Sequence, residues 1–319
     1  MKILITGAAG YIGSKLTKKL LNSGHQVFAF DNYFYDQYHV SRLFDQIHCF
    51  HYYNEDVTDW SFKLKNAIAN ADVIFPLAAL VGAPLCDKHP ELTVKLNQEW
   101  FKTLLEYVDG SQKVIYPNTN SGYGSTGGAI CTEDTPCNPI SLYGKTKGEA
   151  EKILLNNYDN SVCFRLATVY GRSYRQRMDL LVNNLVYNAM KDGHLEVFDG
   201  HFRRNYIHVD DIVGAFIHTM NNYDAMKNNV YNLGNDTVNM TKLDLVKKIC
   251  DHTGISYSMI KDRTDPDKRD YIVSSQKLYD TGFSPHYDLD YGIREMMNVC
   301  IESSEKFKDP EYMKKCRNY

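Results

Sequence analysis

A glycine-spaced turn between two apolar runs constrains this chain more than any other feature. Lys2-Ile3-Leu4-Ile5-Thr6 reads as a short buried strand. Gly7-Ala8-Ala9-Gly10-Tyr11-Ile12-Gly13 follows at once, and then the helix-period run SKLTKKLLNSGH. Gln26-Val27-Phe28-Ala29-Phe30 reads as a second buried strand, ending at Asp31. Strand, glycine turn, helix and strand make a β-α-β unit. Its glycines permit a tight turn, a close backbone approach to a pyrophosphate and close helix-strand packing, while the helix N-terminus turns unpaired N–H groups toward phosphate. The spacing is GxxGxxG rather than GxGxxG, but an acid eighteen residues past the last glycine completes a dinucleotide fingerprint. Asp31 would accept hydrogen bonds from the adenine ribose and repel a 2′-phosphate. No arginine follows in Asn32-Tyr33-Phe34, so NAD is expected rather than NADP.

The alternation continues. Strand signals at 47–53, 72–79, 113–116 and 162–166 interleave with helix signals at 60–70, 90–108 and a run beginning at Tyr143. This pattern predicts an α/β, Rossmann-type doubly wound parallel sheet. Beyond residue 170 it becomes irregular, with helices at 179–190, 210–220 and 242–252 and short strands at 195–198 and 205–208. The expected organisation is an NAD-binding domain over 1–170. A smaller C-terminal substrate-binding lobe over 171–319 would be interleaved with it. Ligands of such sheets sit beyond the carboxyl ends of the strands, where the sequence places Gly7 to Gly13, Asp31, Asp56-Val57, Ala78-Ala79 and Thr119.

Composition removes several alternatives. A net charge of −3 gives no general reason to bind nucleic acid or an acidic membrane surface. No apolar stretch has bilayer length, and a strand starting at residue 2 leaves no room for a leader, so a cytoplasmic location is expected. Eight cysteines form no CxxC pair. His208, Asp210 and Asp211 lack the third imidazole or thiolate of a zinc site, so no metal is expected. The polar C-terminus, KFKDPEYMKKCRNY, is expected to be loosely held.

Chemistry enters at Tyr143-Gly144-Lys145-Thr146-Lys147. Four residues apart on a helix, a phenol and an ammonium share one face. A free tyrosine titrates near ~10, and a neighbouring cation favours its phenolate. The pair can move a proton to or from an alcohol.

Taken together, TGAAGYIG, Asp31, the stretch DVTD at 56–59, LAA at 77–79, Asn97, the loop from Thr119 to Gly124, YGKTK and RNYIHVDD at 204–211 resemble the extended short-chain dehydrogenase/reductase family of nucleotide-sugar epimerases, dehydratases and dehydrogenases. The resemblance runs from residue 1 to about 300. Within the family, PLAALVGAPLC, PNTNSGYG, FRLATVYG, FRRNYIHV and DPDKRDYIVS are similar to the capsule-pathway GDP-D-glycero-D-manno-heptose 4-dehydrogenases. The resemblance implies oxidation at a sugar C4, with Tyr143 as base. Lys147 would support the phenolate and the nicotinamide ribose, and Thr119 would hold the sugar oxygen. It places Gly7, Gly10, Tyr11, Ile12, Gly13, Asp31, Asn32, Asp56, Val57, Leu77, Ala78, Ala79 and Asn97 around NAD together with Tyr143 and Lys147. Asn97 would act by fixing local backbone. Val81, Asn120, Ser121, Thr168, Arg175, Arg177, Leu181, Val182, Arg204 and Arg269 would surround the nucleotide-diphosphate sugar, GDP-heptose by the narrower likeness. Arg175 and Arg177 lie in a basic turn that could equally face solvent.

Family dehydratases carry an Asp-Glu pair where this chain has Asn120 and Ser121, so elimination of water is disfavoured. Oxidation and 4-epimerisation stay open, since both begin with the same step. A nucleotide-sensing regulator on this fold is a third possibility, opposed by the intact Thr119, Tyr143 and Lys147. A homodimer through the helices of Asn97 and Tyr143 is a further implication of the resemblance.

Overall fold

Ile3, Leu4 and Ile5 are fully buried, because their strand lies inside a seven-stranded sheet with neighbours on both sides. The computed structural model describes residues 1–261 and 270–318. The sheet runs in the order Asn229–Leu233, Ser161–Leu166, Lys113–Thr119, Val73–Pro76, Lys2–Thr6, Gln26–Asp31, Phe50–Asn54. Every pairing in it is parallel. Strand order reverses direction at Lys2–Thr6, which pairs with Gln26–Asp31 on one side and Val73–Pro76 on the other. The crevice at this switch point is where a doubly wound sheet takes its ligand.

Helices cover both faces because the strands are apolar on both. The helix Val209–Asn221 presents Phe216 to Phe75 and Phe164, at ring separations of 5.5 and 5.7 Å. On the opposite face Trp100, Phe101, Leu104, Ala150 and Leu154 pack with Leu4, Ile74 and Tyr116. A second apolar cluster joins the helices Leu181–Asp192, Lys242–Thr253 and Leu289–Glu302 to the strand Arg203–His208. That strand pairs parallel with Thr168–Tyr170 and antiparallel with Asn235–Thr241. Among the described residues no helix is long and apolar enough to cross a membrane.

Three local expectations change. The seventh strand, Asn229–Leu233, was not anticipated: its five residues, NVYNL, have neither a continuous apolar run nor clean alternation. The helix expected over 90–108 runs as Pro90–Val94, a π-helical turn Lys95–Glu99, and Trp100–Leu104. The C-terminus is held rather than loose. Met313, Cys316 and Asn318 are buried, and Met178 N–H donates to the Cys316 carbonyl at 2.7 Å.

Candidate active site

The carboxyl ends of the strands open into one cavity of about 1140 Å³. This is more room than a single drug-sized ligand requires. Gly7, Gly10, Tyr11, Ile12 and Gly13 line it at one end, with Asp31, Asn32, Asp56, Val57, Leu77, Ala78 and Ala79. The glycines are there for space. At Gly7 the backbone takes φ +68°, and a Cβ would lie 2.7 Å from the Ala78 nitrogen. A Cβ on Gly13 would lie 2.2 Å from the Gly7 carbonyl oxygen. The helix that follows, Tyr11–Asn22, has no side-chain cap on its first N–H groups, which leaves them for a ligand anion.

Asp31 is buried at the end of its strand and accepts from Ala9 N–H at 3.0 Å, Tyr33 N–H at 2.8 Å and the Gln37 amide at 3.2 Å. It therefore also pins the glycine turn, a task the sequence did not suggest. Burial raises its pKa above the ordinary carboxylate value, against the pull of the Tyr33 and Ala9 bonds. Burial acts the same way on Asp56, but there the bonds from Thr58 and Asn32 outweigh it and hold the carboxyl below its usual range. An anion-ready helix end, an uncluttered glycine turn and a carboxylate one strand over fit an adenine dinucleotide of the NAD type.

Thr119, Tyr143 and Lys147 line the same cavity. Thr119 ends its strand and caps the 3-10 turn Asn120–Tyr123. Its hydroxyl accepts from Ser121 N–H at 3.1 Å and donates to the Ser121 hydroxyl at 3.0 Å. The helix Leu142–Asn157 carries the other two and starts under Ser141, whose hydroxyl accepts from Gly144 N–H. This helix passes so close to the Thr119 turn that a Cβ on Gly144 would lie 3.2 Å from the Ser121 carbonyl oxygen. Tyr143 is half-buried against Leu80, Leu85 and Cys86.

Lys147 is buried, with Nζ 4.2 Å from the centre of the Tyr116 ring. Desolvation lowers its pKa from 10.5 to about 7, and the thiols of Cys163 and Cys86 offset this only weakly. The sequence suggests a full cation beside the tyrosine. In this protein the burial that points Lys147 into the cavity also brings its proton within easy reach of neutral pH.

Several expected contacts are not formed. Asn120 is fully buried inside the 3-10 turn and does not line the cavity. Val182 faces the apolar cluster behind its helix, leaving Leu181 at the cavity wall. Asn97, expected to act by fixing local backbone, is buried beside the cavity. From the π-helical turn it bonds both backbone groups of Leu80, at 2.8 and 3.0 Å, fixing the wall that Tyr143 packs on. Arg269 lies outside the described residues.

Ser121, Thr168, Val81 and Arg204 line the cavity as expected. Arg175 and Arg177 also line it and are buried, so they are not a solvated turn. Arg177 is paired with Asp179 at 2.5 Å. Arg175 stacks 3.8 Å over the Tyr35 ring and donates to Asn318 Oδ1 at 2.8 Å. Burial first, and then the Arg177 charge, lower its pKa to about 10. Because Tyr35 and Asp31 are its neighbours, Arg175 stands at the Asp31 end of the cavity rather than at the Arg204 end.

His208, Asp210 and Glu295 approach within 4.8 Å of one another. Both imidazole nitrogens are engaged, one with Glu295 at 2.9 Å and one accepting from Asp210 N–H, while Asp210 pairs with Lys15. Asp211 instead accepts from the backbone of His286 and Tyr287.

Sequence reasoning passed over Phe202, Lys242, Tyr271 and Asn318, all of which line the cavity. Lys242 did leave a trace. It is the first residue of a helix whose cap, Thr241 with Asp244, is legible as a capping box. A lysine there opposes the helix dipole.

A model of the NAD dependent epimerase/dehydratase family matches residues 3–234. The Staphylococcus aureus protein CapI is 32% identical over 232 residues, covering 67% of this chain and 68% of CapI. A UDP-glucose 4-epimerase of Mycolicibacterium smegmatis is 30% identical over 226 residues, covering 68% of this chain and 72% of that protein. Among solved structures, the Bacillus cereus UDP-glucuronic acid 4-epimerase in complex with UDP-glucuronic acid and NAD is similar with a TM-score of 0.83. It is 27% identical, covering 95% of this chain and 99% of that one.

Proposed function

The chain belongs to the NAD dependent epimerase/dehydratase family and is an NAD-dependent enzyme, and from that premise we propose that it oxidises C4 of a nucleotide-linked sugar. The observation that carries this reading is that Thr119, Tyr143 and Lys147 line one cavity together with the glycine turn, Asp31 and Arg204. NAD, when bound, supplies the hydride acceptor. The protein's own work is on the proton and the geometry. Tyr143 takes the proton of the C4 hydroxyl. Thr119 redirects its hydroxyl from Ser121 to the same oxygen and holds it toward the phenol. Lys147 stabilises the phenolate across the helix face. Fixing one alcohol among three groups combines positioning with general base catalysis.

Dehydration is disfavoured in this reading, since residues 120 and 121 are an amide and a hydroxyl and Asn120 does not reach the cavity. The finer substrate we propose is GDP-D-glycero-D-manno-heptose, on the strings shared with that group of enzymes. Residues 1–170 hold the cofactor and the interleaved residues 171–319 the nucleotide sugar. The assembly is a homodimer through the helices of Asn97 and Tyr143, which light scattering tests. A second reading, 4-epimerisation, is favoured by the 4-epimerases among the relatives.

The discriminating experiment incubates purified enzyme with GDP-mannoheptose, UDP-galactose and UDP-glucose. It follows both the nicotinamide absorbance and the configuration of the product at C4. A keto product with reduced cofactor supports the dehydrogenase. An inverted hydroxyl without net reduction replaces it with the epimerase, and no conversion of any donor sinks both.

A further inference from the structure

The segment that follows the strand Thr168–Tyr170 carries a buried guanidinium to the cofactor side of the cavity. Three contacts tie this segment to the first turn of the helix Tyr11–Asn22. The Tyr11 hydroxyl donates to the Gly171 carbonyl at 2.6 Å, and the Ser173 hydroxyl donates to the Tyr11 carbonyl at 2.6 Å. The Ser173 and Ser14 hydroxyls lie 3.1 Å apart. Two residues on, the Arg175 side chain meets the loop after Asp31. Its guanidinium stacks 3.8 Å from the centre of the Tyr35 ring. Tyr35 N–H donates to the Gln37 amide oxygen at 2.9 Å, and the Gln37 amide donates to Asp31 at 3.2 Å. Arg175 is thus tied on one side to the helix start that faces a ligand anion, and on the other to the Asp31 loop.

This arginine lacks a counter-ion. It is 4% exposed and lines the cavity. Nη2 donates to Asn318 Oδ1 at 2.8 Å and to the Arg317 carbonyl at 3.4 Å, but Nε is buried with no acceptor among the described residues. The two carboxylates that act on it are engaged elsewhere, Asp179 with Arg177 and Asp31 with Ala9, Tyr33 and Gln37. With its pKa lowered to about 10, it is still a cation at neutral pH. A buried cation with an unsatisfied donor is costly until an anion meets it. The glycine turn has the converse lack. GAAGYIG contains no cation, and a helix dipole supplies only about half a charge. The first lysine of the helix, Lys15, is paired with Asp210. A dinucleotide brings a negative charge on each of its two phosphates, and the guanidinium fork matches phosphate oxygens.

We propose that Arg175 is a cofactor-binding residue that donates to the diphosphate of NAD, not to the substrate. The inference rests on the chain being NAD-dependent and is independent of which sugar is oxidised. Because Nη2 holds Asn318, the same side chain joins the bound cofactor to the C-terminal segment.

The test is calorimetric titration of the full chain, freed of its cofactor, with NAD, NADP, GDP and UDP. Arg175→Met keeps an apolar stem against Tyr35. It is expected to weaken NAD by about ten- to a hundredfold, the range of a hydrogen bond to a charged group, and to leave GDP and UDP within about twofold. Arg175→Lys restores the charge without the fork and is expected to recover part of the loss. Asn318→Ala removes the bond to the C-terminal segment and keeps the charge, so it is expected to weaken NAD clearly less than Arg175→Met does. NAD affinity unchanged in Arg175→Met overturns the proposal. A loss confined to GDP and UDP also overturns it, by moving the arginine to the substrate. A loss confined to NADP would make the residue a reader of the 2′-phosphate instead. A loss in Asn318→Ala equal to that in Arg175→Met would reduce the arginine to a tether for the C-terminal segment. A wild type that binds no NAD refutes cofactor dependence itself, and the proposal with it.

Discussion

Removing the catalytic lysine is expected to stabilise the protein. Lys147 is buried with its folded-state pKa lowered from 10.5 to about 7, chiefly by desolvation. At pH 6 the group is charged in both folded and unfolded chains, and the folded state bears the whole burial cost. A change in proton affinity of that size corresponds to roughly 5 kcal/mol, at about 1.4 kcal/mol per tenfold. Between pH 7 and 10.5 the unfolded chain binds the extra proton, so stability rises with pH through that window by at most ~1.4 kcal/mol per unit. Lys147→Met keeps the length of the side chain and has no such term. In urea unfolding of cofactor-stripped protein, the variant should therefore exceed the wild type most at pH 6 and below. The margin should shrink steadily above pH 7, to roughly 2 kcal/mol by pH 9. Turnover should fall by at least ~100-fold in the same variant. Parallel curves from pH 6 to 9, or a variant less stable than the wild type at pH 6, would refute the claim that Lys147 is held charged against its own desolvation.

Three further outcomes follow from the geometry. Gly13→Ala places a Cβ 2.2 Å from the Gly7 carbonyl and should abolish NAD binding in a fluorescence titration while lowering the thermal midpoint. Asp31→Ala removes the acceptor for Ala9 and Tyr33 N–H. It should narrow the NAD over NADP preference and cost about 1–3 kcal/mol in chemical unfolding for the buried donors it orphans; an unchanged preference would assign ribose reading to another residue. Deleting residues 310–319 removes the Met178–Cys316 bond, the Arg175–Asn318 bond and the Lys315–Asp36 pair. It should make bound NAD exchange faster on dialysis, and retention equal to that of the full chain would show that the tail does not close the cavity.

Sequence made the fold legible where its rules are local. The turn from Gly7 to Gly13 needs backbone space, and Asp31 needs to end a strand beside it; both demands are written in consecutive residues. Tyr143 and Lys147 share a helix, so their common face followed from spacing. What stayed hidden depends on long-range packing. The strand Asn229–Leu233 joins the sheet because Ser161–Leu166 offers it an edge, not because its own pattern demands it. Asn120 was placed at the substrate by its number, yet the turn that Thr119 caps carries it inward. For Arg175 and Arg177 the sequence left a ligand contact and a solvent-facing turn equally open, because the C-terminal segment and Tyr35, which bury Arg175, lie 142 residues after and 140 before it in the chain. The lowered pKa of Lys147 comes from the shell around it, and a helix-face argument has no term for that shell.

The most direct test of Tyr143 as the proton acceptor is a single turnover of the Tyr143→Phe enzyme with NAD and a substrate the wild type accepts. The phenyl ring can keep the packing against Leu80, Leu85 and Cys86 but cannot take a proton. Nicotinamide reduction should slow by at least ~100-fold, while NAD affinity stays within about twofold of the wild type, a difference well below the ~1.4 kcal/mol that separates tenfold. Reduction at the wild-type rate would contradict the account, since the base would then have to be some other group.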